Sequence, residues 1–151
     1  MRLPSGAVVL DASFVLALLD GEAAAQRFAP LLGRAEMPSV TVGEVFSKLH
    51  AAAGLEPTVV EAGLRALGIR LVDLPVAAAR RFPALRELDA VRRAQQRAAG
   101  DRPLRVLSLG DLCCLGYAIE YGRPVLTGDR HWRSLGLTVE VVDFRDPEYE
   151  P

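Results

Sequence analysis

The sequence predicts a doubly wound α/β domain, with a central parallel β-sheet flanked by helices on both faces. Short and almost continuously apolar runs at residues 7–10, 69–74, 124–127 and 139–144 have the character of strands buried on both faces. Longer segments with apolar residues at helical spacing, bounded by glycine and proline, separate them. The alternation persists along 151 residues, a length that suits one domain with a substantial core.

The first expected strand, residues 7–10, ends at Asp11, and the apolar cluster at 14–19 is too long to be strand alone and predicts a helix. Residues 22–32 follow as a helix stopped by Gly33, then 37–40 as a short apolar connector. The next helix, 41–53, repeats Val42, Val45, Phe46 and Leu49 at helical spacing before Gly54. Pro57 suits the first turn of another helix, which carries Val60, Leu64 and Leu67 on one face and stops at Gly68.

After the strand at 69–74, Pro75 opens a long helical region, with a possible break at Pro83, that ends at the stop signal Gly100-Asp101-Arg102-Pro103. Ser108 is placed to cap a helix over 109–121, closed by Gly122. The strand at 124–127, a short helical turn and the strand at 139–144 complete the chain, without repeats, linkers or low-complexity segments.

Composition narrows the function classes. Half the residues are hydrophobic and the net charge is -1, so no global basic field is available to hold nucleic acid. A local one is: Arg80, Arg81, Arg86, Arg92, Arg93, Arg97, Arg102 and Arg105 crowd the stretch at about 76–105, against Glu87, Asp89 and Asp101. Two readings stand for it, a solvated helix face laced by pairs at helical spacing, or a track for phosphates in which Arg92 and Arg93 meet substrate.

Cys113 and Cys114 are adjacent within an expected helix, which suits free thiols rather than a disulfide framework or metal knuckle. With no apolar run near the ~18 residues of a membrane span and no charged-then-apolar leader, the expectation is a cytoplasmic protein.

Chemistry centres on four acids. In open α/β sheets the ligand crevice lies beyond the carboxyl ends of the strands, where Asp11 and Asp129 fall, and Glu44 and Asp111 are expected in the first turns of their helices. Each has an ordinary explanation as a helix cap: Asp11 or Ser13 for the first helix, Thr41 with Glu44 and Ser108 with Asp111 as capping boxes, Asp129 for the turn that follows it. Jointly they would repel. At ~6 Å and an effective dielectric near 20, each like-charged pair costs roughly 3 kcal/mol, more than a cap worth about 1 kcal/mol offsets. Such a cluster, if it converges, calls for a cation, and oxygen ligands without convergent His or Cys favour Mg2+ or Mn2+ over Zn2+.

The set Val8-Val9-Leu10-Asp11-Ala12-Ser13, Thr41-Val42-Gly43-Glu44-Val45, Leu107-Ser108-Leu109-Gly110-Asp111 and Val125-Leu126-Thr127-Gly128-Asp129-Arg130-His131-Trp132 resembles PIN domains, especially the VapC-type toxins of prokaryotic toxin-antitoxin pairs. The resemblance implies a PIN-like nuclease domain and an Mg2+- or Mn2+-dependent endoribonuclease. Asp11, Glu44, Asp111 and Asp129 match the family's metal-holding and catalytic acids, and Ser13 and Thr127 its supporting hydroxyls. The implied chemistry is phosphodiester hydrolysis by water activated on one or two divalent ions, with no nucleophilic side chain. Some members carry a further acid or Asn where this chain has His131, which leaves the second ion open. An antitoxin partner, an RNA substrate and a homodimer are also implied, with the antitoxin expected over the helices near 14–19 and 42–49.

Arg130 and His131, beside Asp129, join Arg92 and Arg93 as candidate substrate contacts, although a surface role in a short turn is the more ordinary reading of His131. His50, near the end of its helix, is placed to favour the helix dipole, and Trp132 reads as a core plug. Two rivals stand beside the nuclease. One is a PIN-like binding module without robust activity. The other is a haloacid-dehalogenase-like phosphoryl-transfer hydrolase with Asp11 as nucleophile, for which Asp11-Ala12-Ser13 replaces the usual Asp-x-Asp and Lys48 is the only lysine on offer.

Overall fold

The computed structural model describes residues 5–102 and 105–149; Pro103, the last residue of the expected stop signal, lies outside them. Five parallel strands, β1 (Val8–Leu10), β2 (Ala35–Pro38), β3 (Arg70–Val72), β4 (Val125–Thr127) and β5 (Val141–Asp143), form one sheet in the order β3-β2-β1-β4-β5. The helices are α1 (Ala12–Leu19), α2 (Ala23–Gln26), α3 (Ser39–Ala53), α4 (Pro57–Ala66), α5 (Val76–Ala79), α6 (Phe82–Ala98) and α7 (Leu109–Glu120). Two 3-10 segments, Ala29–Arg34 and Arg130–Leu135, complete the regular structure.

Alternation along the central strands sorts the core into two layers. Val8, Leu10, Leu126 and Val142 face Phe14, Phe28, Val45 and Leu64, so α1, α3 and α4 cover one face. Val9, Val125 and Val141 face Leu85, Leu115 and Trp132, so α6 and α7 cover the other. Every residue of β1 is fully buried, as expected for the middle strand of a sheet covered on both sides. No helix among the described residues is long and apolar enough to cross a membrane.

Several boundaries differ from the sequence expectation, each for a local reason. Residues 37–40 are not a connector: β2 runs through Ala35-Glu36-Met37-Pro38, and α3 starts directly after it at Ser39. That strand is hard to read because it buries a charge. Glu36 is 2 % exposed and is neutralised by Arg70 and Arg123, while Tyr117 Oη donates to its Oε2 at 2.8 Å. The helix expected over 22–32 splits into α2 and a 3-10 segment carrying Pro30, whose ring and missing N–H disfavour a continuous α-helix. The helical region after Pro75 does break near Pro83, which sits in the first turn of α6.

One close approach fixes how α7 meets α5. A Cβ built on Gly116 would lie 2.7 Å from the Ala78 carbonyl oxygen, a backbone atom that cannot swing aside. Gly116→Ala should therefore destabilise the fold by about 1–3 kcal/mol through overpacking, seen as a lower urea midpoint with unchanged slope. An unchanged midpoint would show that α5 yields freely.

Candidate functional site

Strand order reverses between β1 and β4, and there the chain opens a crevice at the carboxyl edge of the sheet. Leu10 is paired with Leu126, so Asp11 and Thr127 emerge side by side. Asp11 Oδ2 accepts from Ser13 Oγ at 2.5 Å and from Thr127 Oγ1 at 2.9 Å. The same hydroxyls accept backbone N–H groups of the next turn, Ser13 Oγ from Gly128 at 2.8 Å and Thr127 Oγ1 from Asp129 at 3.0 Å. Ser13 and Thr127 thus link the ends of β1 and β4 through Asp11. The capping reading of Asp11 fails, since it stands at the N-cap of α1 without a side-chain cap bond.

Asp111 stands in the first turn of α7, as expected, and forms a complete capping box: Ser108 N donates to its Oδ2 at 2.7 Å and Asp111 N donates to Ser108 Oγ at 3.1 Å. Asp129 caps the 3-10 segment after it by accepting from His131 N at 2.9 Å. Glu44 differs from expectation. Because α3 begins at Ser39, Glu44 lies in the second turn, no Thr41–Glu44 capping box forms, and its carboxylate pairs with Lys48 at 3.0 Å. It still reaches the same edge, where a Cβ on Gly110 would lie 3.3 Å from Glu44 Oε2.

The four acids share one electrostatic neighbourhood. Burial pushes the Asp11 carboxyl above its usual range; the Ser13 and Thr127 hydroxyls oppose the shift, while Asp111 and Glu44 add to it. Burial also raises Asp111, opposed by Ser108 and reinforced by Asp129 and Glu44. Beneath them, the Cys114 thiol is aimed at the Leu10 carbonyl and is raised well above its ordinary value by burial, then by Asp11 and Asp111. It stays protonated and is poorly suited to ligate or attack.

Three carboxylates are buried among the described residues, Asp11, Glu36 and Asp89. Glu36 has Arg70 and Arg123, and Asp89 has Arg92 and Arg93. Asp11 has only hydroxyl donors and other acids around it. No three acidic, imidazole or thiol groups among the described residues already converge as a finished metal cage. Asp111, Asp129 and Glu44 are turned to the local donors named above.

The arginine stretch is mostly a solvated face, with Arg80, Arg81, Arg86, Arg97, Arg102 and Arg105 exposed, but Arg92 and Arg93 turn inward. Arg92 is 4 % exposed and donates to Asp89 and to the carbonyls of His131 and Arg105, so it is no open-face substrate contact. Arg93 is partly buried against the same aspartate at 3.3 Å. Arg105, Arg130 and His131 are exposed, as is Lys48 beside Glu44. Arg92, Arg105 and His131 border, with Asp111 and Asp129, a crevice of about 30 Å3. Trp132 is 1 % exposed, a core plug as expected, and His50 occupies the last turn of α3. The sequence offered no signal for Arg105 as a rim residue or for Asp89 as a buried anchor, because both depend on tertiary neighbours.

A carboxyl raised in the fold contributes stability that is fully present below its unfolded value and lost as pH rises through the folded one. The metal-free protein should thus lose the Asp111 contribution as pH climbs above the ordinary 3.8 toward neutrality. The difference in melting temperature between Asp111→Asn and the unsubstituted protein should become more positive over that range, by about 2–4 °C per kcal/mol recovered. A difference independent of pH would mean that Asp111 is not electrostatically strained.

Likeness to known proteins agrees with this fold. Residues 8–136 match the family model of the PIN domain. A comparison with curated proteins found no match. Among solved structures, a chain of the DNA-bound VapBC complex from Salmonella typhimurium is 18 % identical, with 92 % of this chain and 98 % of that one covered at a TM-score of 0.59. VapBC2 from Rickettsia felis, bound to a promoter DNA fragment, is 12 % identical over 94 % and 98 % at 0.62. VapC20 from Mycobacterium tuberculosis, described as a Sarcin-Ricin loop cleaving toxin, is 18 % identical over 91 % and 98 % at 0.57. At these identities the likeness speaks for the fold, and with the match over most of its length this chain belongs to the PIN domain family.

Proposed function

We propose that this protein is a divalent-metal-dependent endoribonuclease, the toxin of a toxin-antitoxin pair, acting as one nuclease domain in the cytoplasm. The observation that carries the reading is the charge imbalance at Asp11: it is the buried carboxylate without a cationic side chain, and its neighbours are Asp111 and Glu44. An external cation completes that arrangement, and an all-oxygen donor set fits Mg2+ or Mn2+. Asp11, Glu44, Asp111 and Asp129 would hold it. The ion, when bound, lowers the pKa of water and neutralises charge on the phosphate.

The protein's own part is positional. Ser13 and Thr127 fix the Asp11 carboxylate and lock it to the turn bearing Asp129. Asp111, Asp129 and Glu44 give up only N–H or surface Lys48 contacts in turning toward a cation. Arg105 and His131 are exposed at the crevice, and Arg130 is the exposed residue between Asp129 and His131 in the chain, where RNA phosphates would need partners. The phosphoryl-transfer alternative loses its basis with the family assignment, and its lysine is engaged with Glu44 on an exposed helix face.

Two structures similar to this chain are VapBC toxin-antitoxin complexes, which supports an antitoxin partner. Leu19, Leu49, Leu55, Val59 and Leu64 line an apolar groove of about 150 Å3 between α1, α3 and α4, with Leu19 44 % and Val59 62 % exposed. This groove is our candidate for the antitoxin segment. A second apolar groove, lined by Leu85, Leu88, Ile119 and Leu137 on the opposite layer, is the candidate surface for a homodimer.

Calorimetric titration of Mn2+ into the antitoxin-free protein should give saturable binding that Asp111→Asn weakens at least tenfold, with Mn2+- or Mg2+-dependent cleavage of total RNA abolished in the same variant. Absence of binding in a folded protein across the millimolar range would move the binding-module reading ahead. Val59→Glu should prevent co-purification of the toxin with its co-expressed antitoxin while leaving metal binding intact. An unaffected complex would place the antitoxin elsewhere.

A further inference from the structure

A buried ion pair on α6 reaches both segments that carry the acids of the carboxyl edge. Asp89 is fully buried and Arg92 nearly so. Asp89 Oδ1 accepts from Arg92 Nη2 at 2.5 Å, and its Oδ2 accepts from the backbone N–H of Leu107 at 3.2 Å. Arg92 Nη1 donates to the His131 carbonyl at 3.2 Å, and Nη2 also approaches the Arg105 carbonyl at 3.4 Å. Arg86, one turn earlier, donates to the Leu107 carbonyl at 2.5 Å.

The backbone groups held in this way have a pattern. Arg105 and Leu107 lead into Ser108, the cap of α7 that fixes Asp111. His131 is the residue whose N–H caps onto Asp129. One carboxylate-guanidinium pair therefore binds the approach to Asp111 on one side and the exit from Asp129 on the other, and the crevice between them is bordered by Arg92 itself.

A lysine in place of Arg92 would keep the charge but lack the planar fork needed to engage a carboxylate and two carbonyls together. A pair retained only for stability would not need to reach two segments at once, since apolar replacements of similar volume commonly serve as well.

We propose that Asp89 and Arg92 form a positioning pair that sets the separation of Asp111 and Asp129 and so the geometry of the metal site; this rests on the reading of those acids as metal-holding residues. The pair touches neither metal nor substrate. It acts through the backbone of residues 105–107 and of His131.

The test is the double variant Asp89→Leu with Arg92→Met, which removes both charges of the pair, compared with Arg92→Lys, the unsubstituted protein and Asp89→Leu with Arg92→Met and Arg93→Met, which also removes the partly buried Arg93 charge that loses its carboxylate. Amide hydrogen exchange of the metal-free proteins is read first. In the double variant the segments 105–112 and 129–135 should lose protection together while α1 and α3 keep theirs, with Arg92→Lys intermediate. Mn2+ affinity should then fall 10–100-fold, the usual consequence of removing support behind metal-holding side chains.

Loss of protection in only one segment, or in neither, overturns the proposal, as does an unchanged Mn2+ affinity. If the unsubstituted protein binds no Mn2+, the metal reading fails, and the joint exchange response alone decides whether the pair couples the two segments. If the double variant does not fold, Arg92→Lys carries the same comparison: coupled partial loss supports the pair, and protection equal to that of the unsubstituted protein removes it.

Discussion

The Asp11 carboxylate is buried where β1 and β4 part, and four short polar contacts around it hold the carboxyl edge of the sheet together. Ser13 and Thr127 donate to the acid and accept from Gly128 and Asp129, so the turn after β4 is tied to the start of α1 through a single side chain. The close approach at Gly128, where a Cβ would lie 2.9 Å from the Phe144 ring, belongs to the same arrangement. Position in the sheet makes this possible. With β1 central and β4 beside it, the switch in strand order places that edge between the two helical layers.

Charge compensation distinguishes this edge from the remainder of the interior. Glu36 and Asp89 show how the chain neutralises a buried carboxylate when the purpose is structural, with two guanidiniums each. Around Asp11 the neighbours have the wrong sign, and burial and repulsion both favour its protonated form. On the proposed metal-dependent reading, a bound cation would lower the free energy of the ionised form, since binding to the folded state alone stabilises that state by mass action.

Much of the fold was legible because the central strands are apolar on both faces and the helices between them carry clear stops. β2 escaped notice since its buried Glu36 looks like a surface residue until Arg70 and Arg123 arrive from distant positions. Asp11, Asp111 and Asp129 were readable as strand-end and helix-start acids, and with β1 central they share one electrostatic neighbourhood, although no three of the described acids converge into a finished metal cage. Glu44 was placed one turn too early because the start of α3 is set by the end of β2 at Pro38. The arginine stretch misled most, since a run of charge does not disclose that α6 turns Asp89 and Arg92 inward, Arg92 to donate to the His131 and Arg105 carbonyls and Asp89 to accept from the Leu107 N–H.

The contact from Thr127 to Asp11 spans 116 positions of the chain. During synthesis on the ribosome β1 can pair with β2 early, but its other neighbour β4 exists only after most of the domain has been made, a long-range closure of the kind that slows folding. The apolar groove between α1, α3 and α4 is made wholly of residues that precede β4. A nascent chain therefore contains every residue of the groove proposed for the antitoxin well before the acids of the carboxyl edge are all made, so that on this reading recognition can begin ahead of chemistry.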